Sequence, residues 1–180
     1  MPRVVDHEEQ RAAILDGCFD LFARKGYGSV TMRGAARELG VSTGTLYHYF
    51  DSKEELFRRM FERNARRDIV EAEGILTEGD DLRMRLLKLE EYLEQRADHL
   101  QAVLMVAVDY LRNHPEPTAR AFLAETAALY REALGERLGL PGQILGASTF
   151  SFVLGMILHR TLDPAAPAFS DQLAVLAALA

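Results

Sequence analysis

Residues 31–53, TMRGAARELGVSTGTLYHYFDSK, read as a helix, a tight turn, a second helix and the cap of a third. Arg33 to Leu39 forms the first helix. Gly40 follows at the point where a helix closes with a left-handed residue, a conformation that only Gly adopts without a Cβ penalty. Ser42 is a good N-cap for the second helix, which ends at Phe50. Two short helices joined by a short turn containing Gly form the helix-turn-helix pattern of DNA-binding proteins.

The second helix has an unusual surface. Leu46 and Phe50 lie four apart and face inward with Val41, leaving Thr43, Thr45, Tyr47, His48 and Tyr49 outside. These side chains are short or flat, and all can hydrogen-bond. No carboxylate occurs from Leu39 to Phe50. A helix facing only water usually carries Glu and Lys, whereas one entering a major groove needs donors and must avoid negative charge. Ser52 and Glu55 then form a capping box for the next helix. Lys53 stands in its first turn, where the macrodipole disfavours a cation. A nearby phosphate reverses that sign and takes the charge together with the free backbone N–H groups.

The pattern Thr31-x-x-x-Ala35-Ala36, then Gly40-Val41-Ser42-x-Gly44-x-Leu46-Tyr47-x-Tyr49-Phe50-x-x-Lys53, resembles the N-terminal module of the TetR family, dimeric transcriptional repressors released by a ligand. The likeness covers roughly residues 10–60. It departs at Gly34 and Ala35, where the family usually has a polar residue and Ile. The resemblance implies a homodimer on a palindromic double-stranded operator and a small-molecule inducer of unknown identity. It places Arg33 at a position that often reaches a base, with Thr43, Thr45 and His48 as the exposed, variable positions of the reading helix. Thr31, Tyr47, Tyr49 and Lys53 are expected on phosphates.

The chain has 180 residues, enough for one or two domains with a proper core, and a net charge of −6. That total hides an asymmetry: residues 1–67 hold twelve Lys/Arg against ten Asp/Glu, and residues 68–180 hold nine against seventeen. A weakly basic head on an acidic body suits a DNA binder that gains affinity by pairing. The single Cys18 excludes an intramolecular disulfide and a Cys-cluster zinc site, and its place in an apolar stripe reads as core. The first residues show no charged-then-apolar pattern, so no signal peptide is expected. The longest apolar run, Ile144 to Leu158, is interrupted by Ser and Thr and falls short of the roughly 20 residues a bilayer span needs. A soluble cytoplasmic protein without membrane contact is expected.

Asp6 and Glu9 can cap a first helix running to about Lys25, whose apolar face is Ile14, Leu15, Cys18, Phe19 and Phe22. Tyr27 and Val30 are expected to pack back on it. The helix from Lys53 to about Leu76 starts apolar (Leu56, Phe57, Met60, Phe61) and turns polar (Arg63, Arg66, Arg67), with i,i+4 pairs such as Glu55–Arg59. As the link between head and body it is the natural lever. The segment 77–81 breaks it.

The body shows no sustained period-two alternation and reads as helices throughout. Leu82 to Ala97 is amphipathic. Leu100 to Leu111 is apolar nearly all round, which predicts burial on every side. His114-Pro115-Glu116-Pro117 stops it, and Thr118 to Leu138 is amphipathic again. Gln143 to Thr161 is a second helix apolar nearly all round, followed by a last helix from Phe169 to Ala180. A monomer of this size cannot easily bury both all-apolar helices. The last two are therefore expected to form a four-helix bundle with a second copy, through Gly146, Phe150, Gly155, Leu173 and Leu176 on an isologous interface; the bland alternative is that they complete the monomer core. Met84, Tyr92, Met105, Asp109 and Tyr110 are the candidates for an apolar ligand cavity, with Asp109 and Tyr110 supplying its polar contacts. Asp109 has two other fates open to it, a partner Arg or His, or the surface.

An enzyme is disfavoured. The five histidines fall in no metal-binding spacing, and neither a phosphate loop nor a nucleophile elbow occurs. His99 and Asp109 are a pair that packed helices can bring together, but a lone His on a helix is ordinarily surface or core. A pure dimerisation module leaves the carboxylate-free helix unexplained. The sequence thus predicts an all-α protein. A three-helix DNA-binding head over residues 1–52 is joined by a long helix to a ligand-binding and dimerisation body over residues 53–180. No cofactor and no metal are expected. Repression relieved by a ligand is the favoured reading, and ligand-responsive activation stays open.

Overall fold

The computed structural model describes residues 7–75, 80–140 and 143–179, apart from the side chains at 143 and 176–179. The described residues form α1 (His7–Lys25), α2 (Met32–Glu38), α3 (Thr43–Tyr49), α4 (Lys53–Ile75), α5 (Leu82–Gln95), α6 (Ala97–Asn113), α7 (Pro117–Leu138), α8 (Gln143–Leu162) and α9 (Phe169–Leu179), and no strand. The capping residues read from the sequence set several of these bounds. Gly40 has φ 67° and Gly139 φ 66°, closing α2 and α7. The Asp81 carboxylate accepts the Met84 N–H at 2.8 Å and starts α5. Asp6, the expected cap of α1, lies outside the described residues, as do residues 76–79 of the expected break after α4.

The chain packs as two compact units, one of residues 1–65 with 105–122, the other of residues 66–104 with 123–180. Residues 53–65 of α4 and 105–113 of α6 therefore pack with the head, and the expected functional division after residue 52 is not a division of packing. The reason is aromatic. In the first unit Phe57 stacks on Tyr110 with ring centroids 4.3 Å apart, and Tyr27 meets both rings edge-on. Burying such rings removes a large apolar area from water and adds a geometric preference. Tyr110 and Phe57 are fully buried, as are Phe22, Leu46 and Phe50. Cys18 is buried in this core, and that burial pushes its thiol up to about 12, so it is inert at neutral pH.

In the second unit Leu89, Leu93, Val153, Met156, Phe169 and Leu173 anchor the core, drawn from α5, α8 and α9. α7 and α8 come close where two glycines face each other: a Cβ on Gly146 would lie 3.5 Å from the Gly135 Cα.

One expectation about burial fails. In α6 only Val106 and Tyr110 of the apolar run are buried, while Met105 is 41% and Val108 44% exposed. The run is apolar all round but is covered on only part of its circumference. α8 is likewise covered on only part of its circumference within this chain, and it runs on to Leu162. By length and composition Ile144–Leu162 is sufficient to cross a membrane, contrary to the count that ended at Leu158. Of its exposed positions, Ile144, Ser148, Ser151, Gly155, Leu158 and Leu162 recur at helical spacing and form one uncharged stripe, flanked by the exposed Leu145 and His159.

Candidate nucleic-acid interface

The helix-turn-helix is assembled by local hydrogen bonds. The Thr31 hydroxyl caps α2 by accepting the Gly34 N–H at 3.1 Å. A Cβ at Gly34 would sit 3.1 Å from that hydroxyl, which accounts for Gly at a position where the resembled family usually has a larger residue. Ala35 is fully buried. Ser42 caps α3 by accepting the Thr45 N–H at 2.9 Å. Ser52 accepts the Glu55 N–H at 3.1 Å, while the Glu55 carboxylate reaches back to the Asp51 N–H at 2.8 Å, one residue earlier than a regular capping box. Each cap satisfies a helix-end donor that would otherwise need water.

The residues assigned to DNA are not equivalent. Arg33, Tyr47 and His48 are exposed, Tyr47 by 51%. Thr31 is exposed, but its hydroxyl is already a cap. Thr43 and Thr45 are half-buried, and the Thr45 hydroxyl pairs with that of Ser42 at 2.8 Å. Tyr49 is half-buried, and its hydroxyl is engaged with Gln10 and His7 of α1. The Lys53 ammonium donates to the Tyr27 carbonyl at 3.0 Å and lies 4.0 Å from the Tyr27 ring centre. Partial burial holds its pKa below the usual lysine range, and the Asp109 charge opposes that shift. Sequence reasoning missed Gln10 and His7; neither carries a signal until α1 and α3 are packed together.

The five ligand candidates are divided. Met105, Asp109 and Tyr110 belong to the first unit, Met84 and Tyr92 to the second, so neither unit holds all five. Asp109 takes a fate not foreseen for it: its carboxylate accepts the Tyr27 N–H and lies against Gly26, where a Cβ would come 3.0 Å from Asp109 Oδ2 and where the φ of 74° favours Gly. Tyr110 donates to Glu54 at 3.2 Å from within the aromatic core. Met84 is 45% exposed. Tyr92 is buried in the second unit, and it leads to a polar cluster that the sequence did not reveal.

That cluster surrounds Asp68 of α4, whose side chain is fully buried. Its carboxylate receives Arg96 Nη2 at 3.2 Å, lies 2.8 Å from His99 Nε2, and accepts the Tyr130 hydroxyl at 2.8 Å. The Asp68 carbonyl accepts the Tyr92 hydroxyl at 3.2 Å. Arg96 Nη2 also reaches Glu71 at 3.0 Å. Side chains from α6, α7 and the α5–α6 junction thus meet on one buried carboxylate of α4. The signal was present in spacing: Phe61, Ala65, Asp68 and Ala72 continue the inner stripe of α4, and the flanking arginines hid it.

The interface candidates are also divided. Gly146 is buried against α7, Leu173 belongs to the core, and Phe150 stacks on Tyr130 at 6.4 Å. The Leu176 side chain lies outside the described residues. Gly155 faces outward on the uncharged stripe, and a Cβ there would meet nothing within 4 Å.

Comparison with known proteins agrees with this geometry. Residues 14–60 match the family of bacterial regulatory proteins of the tetR type. The HTH-type transcriptional repressor Rv1474c of Mycobacterium tuberculosis is 28% identical over 81% of this chain and 80% of its own. Against the first curated relatives it matches, the chain spans only about a third of their length. The crystal structure of a putative transcriptional regulator from Pseudomonas aeruginosa PAO1 superposes with TM-score 0.77 at 18% identity, over 97% of this chain and 90% of that one. The regulator FadR of Bacillus subtilis, solved in complex with stearoyl-CoA, superposes with TM-score 0.70 at 17% identity, over 92% and 96%. The capped helix-turn-helix thus lies within the segment that matches the tetR family of bacterial regulatory proteins, and the all-helical fold is similar to that of solved transcriptional regulators.

Proposed function

We propose that the protein is a homodimeric transcriptional repressor in the cytoplasm that leaves a palindromic operator when a small molecule binds its body. The observation that carries the reading is the reading helix: α3 has no carboxylate, is capped at Ser42 and exposes Tyr47 and His48 beside Arg33 of α2. A dimer presents two such helices to successive major grooves about one helical turn apart. Effector binding is supported by the ligand-bound state of the similar FadR and by the polar cluster at Asp68, which offers donors and a carboxylate inside an otherwise apolar unit. α4 and α6 each contribute residues to both compact units, so a body conformation favoured by the effector shifts the heads by population rather than by a new bond.

The test is binding to the DNA upstream of its own gene, with Arg33→Ala as probe. That substitution is expected to cost about 1–3 kcal/mol on the operator and to relax the preference at one base pair. Equal loss on every DNA sequence would reduce Arg33 to a phosphate contact. Lys53 is proposed to turn its ammonium from Tyr27 to a phosphate in the complex. Lys53→Ala is then expected to lower the slope of log K against log salt by about 0.9 per protomer, about 1.8 for the dimer. A lower melting temperature with an unchanged slope would leave Lys53 only its role inside the head.

A further inference from the structure

We infer that operator binding takes up a proton at His7, which positions the reading helix and becomes a pH-dependent phosphate contact. This rests on the head being the DNA-binding module. Tyr49 is the last residue of α3. Its hydroxyl donates to Gln10 Oε1 at 2.9 Å and lies 2.8 Å from His7 Nδ1. A hydroxyl has one proton to give. With that proton directed at Gln10, the short approach to His7 requires Nδ1–H to donate to the Tyr49 oxygen. Neutral His7 then carries a bare lone pair on Nε2, which repels a phosphate oxygen. Protonated His7 keeps the bond to Tyr49 and gains a charged Nε2–H donor, for which a phosphate is a strong partner.

The surroundings favour this use. His7 is exposed in the first turn of α1, and its ring centre lies 5.9 Å from that of His48, a candidate base reader. From α3 the titratable groups facing it are His48 and Tyr49. On its own helix the flanking charges are Glu8, Glu9 and Arg11, with Arg11 lying over the Phe50 ring at 5.8 Å. A phosphate beside the first turn of α1 would meet both the charged imidazole and the positive end of the helix dipole. Such a phosphate favours the protonated ring, so proton uptake is coupled to binding and affinity rises at lower pH.

The experiment is a salt titration of operator binding by the whole protein, on a duplex selected from a random library, at about pH 6 and about pH 8. For the wild type the slope of log K against log salt should be steeper at the lower pH by about 0.9 per protomer, about 1.8 for the dimer, one further phosphate being neutralised by each head. His7→Gln keeps a donor to Tyr49 but cannot charge, and should lose that increment. His7→Lys should show the steep slope at both pH values. His48→Gln should retain the increment, which separates the two histidines. Tight binding with a pH-independent slope, or an increment that survives His7→Gln, would overturn the inference while leaving the DNA-binding reading intact. Absence of specific binding at both pH values would overturn that reading and this inference with it.

Discussion

Gly155→Glu is expected to give a folded monomer that no longer binds its operator. The substitution puts a carboxylate in the middle of the uncharged stripe Ile144, Ser148, Ser151, Gly155, Leu158, Leu162. Within one protomer a Cβ at this position meets nothing within 4 Å, so the helix and core tolerate the side chain. In the proposed dimer each stripe would face its own copy across a two-fold axis, and two carboxylates would be brought together in a dry, close-packed region. Burying an unpaired charge costs several kcal/mol, and about 3 kcal/mol already weakens association more than a hundredfold. Sedimentation should show monomers, circular dichroism should show full helicity, and operator affinity should collapse although the helix-turn-helix is unchanged. A dimer that persists in the Gly155→Glu variant would move the interface off α8. In the proposed dimer the outer face of this apolar helix would be covered by a second copy, and Ser148 and Ser151 on that face suit helix contact.

Local chemistry was legible in the sequence. Gly40, Ser42 and Ser52 each dictate a backbone conformation or a cap within a few residues of themselves, and each stands as read. Long-range pairing was not. Asp109 is four residues from the end of α6, and nothing in its neighbourhood announces that its carboxylate will accept the N–H of Tyr27, 82 positions away. Lys53 looked like a free cation at a helix start, yet its ammonium lies on the Tyr27 ring. The same packing draws the start of α4 and the end of α6 into the head, because Phe57 and Tyr110 bury more area against each other than either could alone. The all-apolar run of α6 misled for a different reason: composition tells which faces can be buried, and only packing tells which are.

Asp68→Ala is expected to be the most destabilising of the substitutions considered, by about 3–5 kcal/mol, because it removes one member of a buried charged cluster and strands the rest. The Arg96 guanidinium would keep only Glu71 as a carboxylate partner, and the Tyr130 hydroxyl and His99 would lose an acceptor 2.8 Å away. For a chain of this length each kcal/mol lowers Tm by about 2–4 °C, so a fall of roughly 6–20 °C is expected. Asp68→Asn keeps the shape and one acceptor and should lose less. The decisive comparison is Asp68→Ala with Arg96→Met. If the carboxylate chiefly compensates the guanidinium, an apolar partner in place of Arg96 should restore part of the loss, and the double variant should be more stable than the two single losses summed. Arg96 is 29% exposed, so solvent moderates its stranded charge and the recovery should be partial. Differential scanning calorimetry on the four proteins measures the coupling directly. A Tm within about 2 °C of wild type for Asp68→Ala would mean that Arg96, His99 and Tyr130 find other partners and that the cluster does not hold α4 to the helices around it.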